Sequence, residues 1–123
     1  NRANPMLTVQ TGEERIESLF YSEKYVGLVT ANSAGPEPEK LVVYRSDGTK
    51  VFETGVDYAY LSGNIDGDYV ILYNDNSCKI YNMRGVEKFS GEVDFQISQI
   101  TCGSLPNQFI LTGAQKMQAI TLR

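Results

Sequence analysis

A chain of 123 residues suits one domain or part of one, and its 41% hydrophobic and 21% charged residues exclude a disordered or collagen-like polypeptide. Fifteen Asp and Glu outweigh eleven Lys and Arg, so nucleic-acid binding, which needs clustered positive charge, is not expected. There is neither His nor Trp, which removes the commonest general base and the commonest zinc or copper ligand.

In chain order, short segments rich in Val, Ile, Tyr, Phe and Thr follow one another with turn residues between them. They are Leu7–Gly12, Ile16–Tyr21, Tyr25–Thr30, Leu41–Arg45, Val51–Gly55, Tyr58–Leu61, Tyr69–Tyr73, Cys78–Met83, Val86–Gly91, Phe95–Thr101, Phe109–Thr112 and Met117–Leu122. Their composition is that of strands. Ser46-Asp47-Gly48-Thr49 and Met83-Arg84-Gly85 read as tight hairpins, and Asp66-Gly67-Asp68 and Asn74-Asp75-Asn76-Ser77 as further turns. The nearest approach to a helical period is Glu13–Phe20, which is short and uncapped. No apolar run approaches the ~18 residues that span a bilayer, so no membrane contact is expected of this segment. The chain opens at Asn1 without a methionine, which we read as a processed or trimmed product.

The segments repeat. A slide of 37 positions lays Val43 on Ile80, Tyr44 on Tyr81, Gly48 on Gly85, Phe52 on Phe89, Val56 on Val93, Asp57 on Asp94 and Tyr58 on Phe95. A weaker third copy aligns Tyr25-Val26-Gly27-Leu28 with Tyr69-Val70-Ile71-Leu72 and Gln108-Phe109-Ile110-Leu111. Three four-strand repeats, at approximately 5–46, 47–84 and 85–123, predict an all-β fold of antiparallel β-propeller-like blades. The continuous apolar run Tyr69–Tyr73 predicts a strand covered on both faces. Complete propellers have about 4–8 blades. The chain therefore reads as a partial propeller, or as a ring completed by oligomerisation, with self-association expected. A sandwich or small barrel is the alternative, and neither needs a repeat.

The stretches Ile65–Asp75 and Cys78–Phe89 resemble an uncharacterised family of clostridial proteins with an N-terminal membrane anchor and an extracytoplasmic WD-repeat-like propeller. Tyr25–Arg123 is similar to the C-terminal part of that family throughout. The resemblance implies a cell-envelope protein, anchored through a segment upstream of this chain, and implies no activity. The Gly-His and Trp-Asp signatures of WD repeats proper are missing, so only the blade geometry carries over.

Catalytic groupings are not evident. No His can activate a Ser, Cys78 or Cys102, and there is no Ser-x-x-Lys, P-loop or Gly-x-Gly-x-x-Gly. Asp66 and Asp68 read as a solvated turn. The loop Asn64–Asp68 lacks the bidentate Glu of a calcium site, so no metal and no cofactor are expected. Cys78 and Cys102 read as two small buried thiols, with one bridge open to them in an oxidising compartment. Tyr44/Tyr81 and Tyr25/Tyr69 recur at equivalent positions and read as packing.

Charge placement is the more informative pattern. Glu13, Glu14, Asp57, Glu92 and Asp94 fall in loops between first and second segments, and Glu37, Glu39 and Asp75 in loops between third and fourth. In a propeller these loops share one rim, so an acidic rim that attracts a cationic or protein partner is expected. The Pro-stiffened loop Ala31–Glu39 is the first choice of contact. The expected function is a non-catalytic binding or scaffold module. The alternatives are a carbohydrate-active hydrolase or lyase with catalytic residues partly outside this chain, and a structural spacer.

Overall fold

The computed structural model describes residues 14–32 and 39–122. The predicted strand Leu7–Gly12 and most of the Ala31–Glu39 loop lie outside the described residues. The chain divides into two compact units, Asn1–Tyr58 and Ala59–Arg123.

The first unit holds a four-stranded antiparallel meander in the order β1 (Glu14–Tyr21), β2 (Tyr25–Asn32), β3 (Glu39–Arg45), β4 (Lys50–Val56). Strand β3 buries Leu41, Val42 and Val43 in succession, so both of its faces are shielded, as a run of β-branched and aliphatic residues requires. A β-bulge at Glu17 shifts the β1–β2 register between Ile16 and Ser18.

The second unit repeats the meander as β5 (Ser62–Asp66), β6 (Tyr69–Tyr73), β7 (Ser77–Asn82) and β8 (Glu87–Glu92). It adds a three-stranded antiparallel sheet of β9 (Gln99–Cys102), β10 (Gln108–Thr112) and β11 (Met117–Thr121), in the order β11-β10-β9. The two sheets share a core of Ile71, Cys78 and Ile80 from one and Ile100, Phe109 and Leu111 from the other, with Ile97 and Leu122 at its margin. Tyr69 and Phe109 meet edge to face at 5.3 Å between centroids. Val70 and Leu72, pointing away from this core, are also fully buried, so neither flank of β6 meets water. Three polar links fasten one sheet to the other. Asn64 Nδ2 donates to the Ile100 carbonyl at 3.4 Å, Cys102 N to Asp66 Oδ2 at 2.9 Å, and Tyr69 Oη to Asn107 Oδ1 at 2.7 Å.

The 37-residue period is visible as geometry. In the β3–β4 turn Arg45 N donates to the Thr49 carbonyl at 2.8 Å and Gly48 N to the Arg45 carbonyl at 2.9 Å. In the β7–β8 turn Asn82 N donates to Val86 at 2.9 Å and Gly85 N to Asn82 at 3.1 Å, every residue displaced by the same interval. Gly48 and Gly85 both adopt positive φ, 96° and 79°, which a side chain would resist. The register shifts also correspond, between Val43 and Tyr44 and between Ile80 and Tyr81.

Each four-stranded sheet straddles the sequence repeat. Its fourth strand (β4 or β8) opens the next copy of the motif. Two predicted strands are displaced. Tyr58–Leu61 is a loop, and the strand is Ser62–Asp66. In Phe95–Thr101 only the last part pairs, as Gln99–Cys102. In the second case the apolar residues marked packing rather than pleat; in the first, Leu61 is 69% exposed and no apolar side chain of the segment is buried. Phe95 and Ile97 plug the core from a loop, whereas β5 holds its place by pairing with β6 although Ile65 is its one buried apolar side chain. The expectation of two buried thiols holds for Cys78 alone. Cys102 ends β9 and is exposed, and the two are free rather than bridged.

Candidate functional site

An open cleft of about 490 Å³ lies in the second unit between the β6–β7 turn and the β8–β9 loop, lined by Asp75, Asn76, Val93, Asp94, Phe95 and Gln96. Its volume is in the range of small-ligand sites.

The cleft is built from backbone first. Asn74 organises the β6–β7 turn. Its Oδ1 accepts from Asn76 N at 3.1 Å, Ser77 N at 2.9 Å and Ser77 Oγ at 2.8 Å, while its Nδ2 donates to the Ala59 carbonyl at 3.0 Å. This is the Asx-type turn that Asn favours because its short amide mimics a backbone group. Val93 N then donates to the Asn76 carbonyl at 2.8 Å and Ile97 N to the Asp75 carbonyl at 2.7 Å, which binds the β8–β9 loop to the turn. Val93 and Phe95 drop their side chains onto the core. Gly113 makes room for Phe95 and the Gln96 backbone: a Cβ there would stand 2.7 Å from the Gln96 carbonyl oxygen and 2.7 Å from Phe95 Cδ2.

Two carboxylates border this frame. Asp94 receives Lys116 Nζ at 3.3 and 3.4 Å in an exposed pair, an arrangement that contributes little to stability and exchanges readily. The Asp75 carboxylate has no partner among the described residues; its hydrogen bond to Ile97 uses the backbone carbonyl. An exposed acid, two primary amides from Asn76 and Gln96, and an aromatic ring make a site suited to a cation with hydrogen-bond donors. Nothing in it is arranged as a nucleophile beside a base.

Of the eight acids expected on one rim, Asp75 and Asp94 line this cleft. Glu92 closes β8 beside it, opposite Ser77 in the ladder. Glu39 and Asp57 belong to the first unit, and Glu13, Glu37 and the side chain of Glu14 lie outside the described residues. Glu39 has a different setting. Its carboxyl hydrogen-bonds Glu17, and that bond, then burial, pushes it up to about 7. Glu17 is held low by the same bond and by Arg15, whose Nη2 lies 2.6 Å from Glu17 Oε2. Asp66, read as a solvated acid, is a fastening between sheets. Loss of solvation, then Asp66, pushes the Cys102 thiol up to about 11, and burial does the same to Cys78. The parts that Asn74, Phe95 and Gly113 play in the cleft are not among the sequence expectations, which name Asn74 only within a turn and Phe95 only within the repeat. The Asn-Asp-Asn-Ser string was the available signal, since Asn two and three residues before free amides is an Asx turn in the making.

Among the described residues no grouping of three or more His, Cys, Asp or Glu could hold a metal ion, and no helix is long and apolar enough to cross a membrane. Comparison with curated proteins finds no match. Among solved structures the chain is similar to HIRA(644-1017), with TM-score 0.60 and 16% identity over 80% of this chain and 32% of that one. It is also similar to the computationally designed Ika4 protein, with TM-score 0.59 and 13% identity over 98% of this chain and 74% of that one. The chain thus spans about a third of the HIRA structure it matches, and at these identities the likeness is one of fold, all-β and propeller-like. The model of a family of unknown function, DUF5711, matches residues 3–122, and the chain belongs to that family.

Proposed function

We propose that this chain is a non-catalytic binding module made of propeller blades, and that the Asp75–Asp94 cleft receives a cationic side chain of a protein partner. The observation that carries the reading is the Asp75 carboxylate, exposed on a hydrogen-bonded frame beside the Phe95 ring with no cation of its own among the described residues. A Lys or Arg side chain would gain a charge-assisted hydrogen bond there and an aromatic flank. Both thiols are held far from the thiolate form, which supports a binding role over nucleophilic chemistry.

The three sheets are, in this reading, blades of a partial propeller completed by further blades or a second copy. The exposed apolar side chains Ile16, Leu19 and Tyr21 on β1 support association. The resemblance to anchored envelope proteins supports a place outside the cytoplasm, on a membrane segment upstream of this chain.

The test is a titration of the amide spectrum with acetyl-Gly-Lys-Gly-amide and its Arg counterpart. Saturable shifts at Asn76, Val93 and Phe95, weakened by salt and by Asp75→Asn, are expected. Absent shifts, or equal affinity in Asp75→Asn, would overturn the assignment.

A further inference from the structure

A second hollow, of about 340 Å³, lies in the first unit between the β1–β2 and β3–β4 turns, lined by Lys24, Tyr25, Arg45, Ser46 and Asp47. We infer that it is an oxyanion site, taking the carboxylate or phosphate of a ligand whose flat apolar part rests against Tyr25.

The frame is rigid because the two turns are tied to each other. Ser46 N donates to the Lys24 carbonyl at 3.0 Å and Ser46 Oγ to the Glu23 carbonyl at 3.1 Å. Ser22 Oγ accepts from Tyr25 N at 3.3 Å on one side, and Gly48 N donates to the Arg45 carbonyl at 2.9 Å on the other. Two side chains from different turns, Lys24 and Arg45, bring positive charge to this frame; neither is within 4 Å of a carboxylate among the described residues, and Arg45 feels Asp47 only at longer range. Other cations of this sheet are engaged: Lys50 with Glu53 at 2.7 Å and Arg15 with Glu17. Asp47 is the one acid in the lining, and its Oδ1 is taken up by Thr49 N at 2.9 Å, which together with the Thr49 side chain and, more weakly, the Arg45 charge holds its carboxyl below the usual range. The hollow therefore keeps one positive charge in excess, with an Arg fork and a Lys point charge, the pair of donors that oxyanions select.

The repeat separates this charge from scaffolding. The β1–β2 turn corresponds to the β5–β6 turn, and the β3–β4 turn to β7–β8. Tyr25 recurs as Tyr69, as a packing residue should. Lys24 recurs as Asp68, Arg45 as Asn82 and Asp47 as Arg84, so the same fold is built in the second unit without the two cations. A blade has no structural need for Lys24 and Arg45. Their placement over one hollow is a property of this unit alone, and it is independent of the acidic cleft in the other.

Phenyl phosphate and benzoate, titrated separately into the whole chain and followed by amide shifts, test the inference. Saturable shifts at Lys24, Tyr25, Arg45 and Ser46 with either probe are expected, and the tighter probe tells phosphate from carboxylate. Lys24→Ala and Arg45→Ala should each weaken binding about tenfold, the scale of one charged hydrogen bond. Lys88→Ala, a cation of β8 in the other unit and not part of the lining, should leave it unchanged. The inference fails if neither probe shifts these amides, if phenol binds as tightly as the acids, or if the two variants bind as the unaltered chain does. Amide dispersion in each variant reports that the fold is intact.

Discussion

Replacing Gly113 by Ala sets the packing behind the cleft against its chemistry. The new Cβ would stand 2.7 Å from the Gln96 carbonyl oxygen and from Phe95 Cδ2, well inside the ~3.5 Å optimum for nonbonded heavy atoms. Neither neighbour yields easily. Gln96 belongs to a loop tethered by Val93 N to Asn76 and by Ile97 N to Asp75, and Phe95 is packed on the core. The loop must therefore move by a fraction of an ångström and stretch both tethers. Overpacking of this kind costs about 1–3 kcal/mol. Gly55→Ala is the matched control: a Cβ there meets nothing within 4 Å, and Ala in a strand is favoured over Gly by roughly 0.5 kcal/mol. Urea midpoints measure the stability difference, and the Lys-peptide titration measures the cleft. Gly113→Ala should lower both stability and peptide affinity while Gly55→Ala lowers neither. If Gly113→Ala unfolds at the same urea concentration as the unaltered chain and binds the peptide equally well, the loop is not held as described.

Three further outcomes follow from particular groups. Glu39, raised from 4.5 to about 7 in the folded chain, holds a proton between those values that the unfolded chain has released, so its contribution to stability is lost as pH rises from about 4.5 through 7. Thermal unfolding of Glu39→Gln should lack this fall, and an unchanged profile would show the Glu17–Glu39 bond to be absent. Cys102, exposed but pushed up to about 11, should react with iodoacetamide at pH 7.5 far more slowly than the same thiol in urea; equal rates would remove the effect assigned to lost solvation and to Asp66 together. Phe109→Ala, at a site with no solvent exposure in the shared core, should destabilise by about 3–5 kcal/mol in urea titration, and a cost under about 1 kcal/mol would mean that the two sheets of the second unit do not pack on one another.

The period was legible because packing and turns impose it twice. Val43 and Ile80, Tyr44 and Tyr81, Gly48 and Gly85 recur since each sheet needs a buried residue, a bulge and a positive-φ turn at the same interval. What escaped was the edge strand β5. Ser62–Asp66 contains Gly, Asn and Asp, poor strand formers, and is held by the β6 edge and by the links of Asn64 and Asp66 to the next sheet. Those links join residues 36 apart in sequence and no local pattern announces them. The acidic rim was legible only as loop membership. Asp75 and Asp94 meet because two backbone hydrogen bonds tie their loops together, whereas Glu39 finds a carboxyl partner on β1, which loop membership alone could not reveal.

The bulge at Glu17 has two consequences on β1, and one of them bears on assembly. In a regular strand Ile16, Ser18 and Phe20 would share a face and Leu19 would oppose them. The extra residue resets the alternation, so that Ile16 pairs with Thr30, Leu19 with Leu28 and Tyr21 with Val26, and all three project to one side. They are 50%, 62% and 75% exposed, a stripe of large apolar side chains along one strand. The same bulge leaves Glu17 free to meet Glu39. Fully burying a side chain such as Leu19 is worth about 1.5–3 kcal/mol, and three partly exposed ones in a symmetric contact count twice, a gross gain on the order of 10 kcal/mol that is set against the cost of association. Light scattering at tens of micromolar should give a mass above that of one 13.7 kDa chain. Leu19→Glu should return it to the monomer while leaving amide dispersion intact, since Leu19 lies outside the buried core. A monomeric unaltered chain, or a Leu19→Glu variant that associates as before, would show that this stripe is not where copies meet.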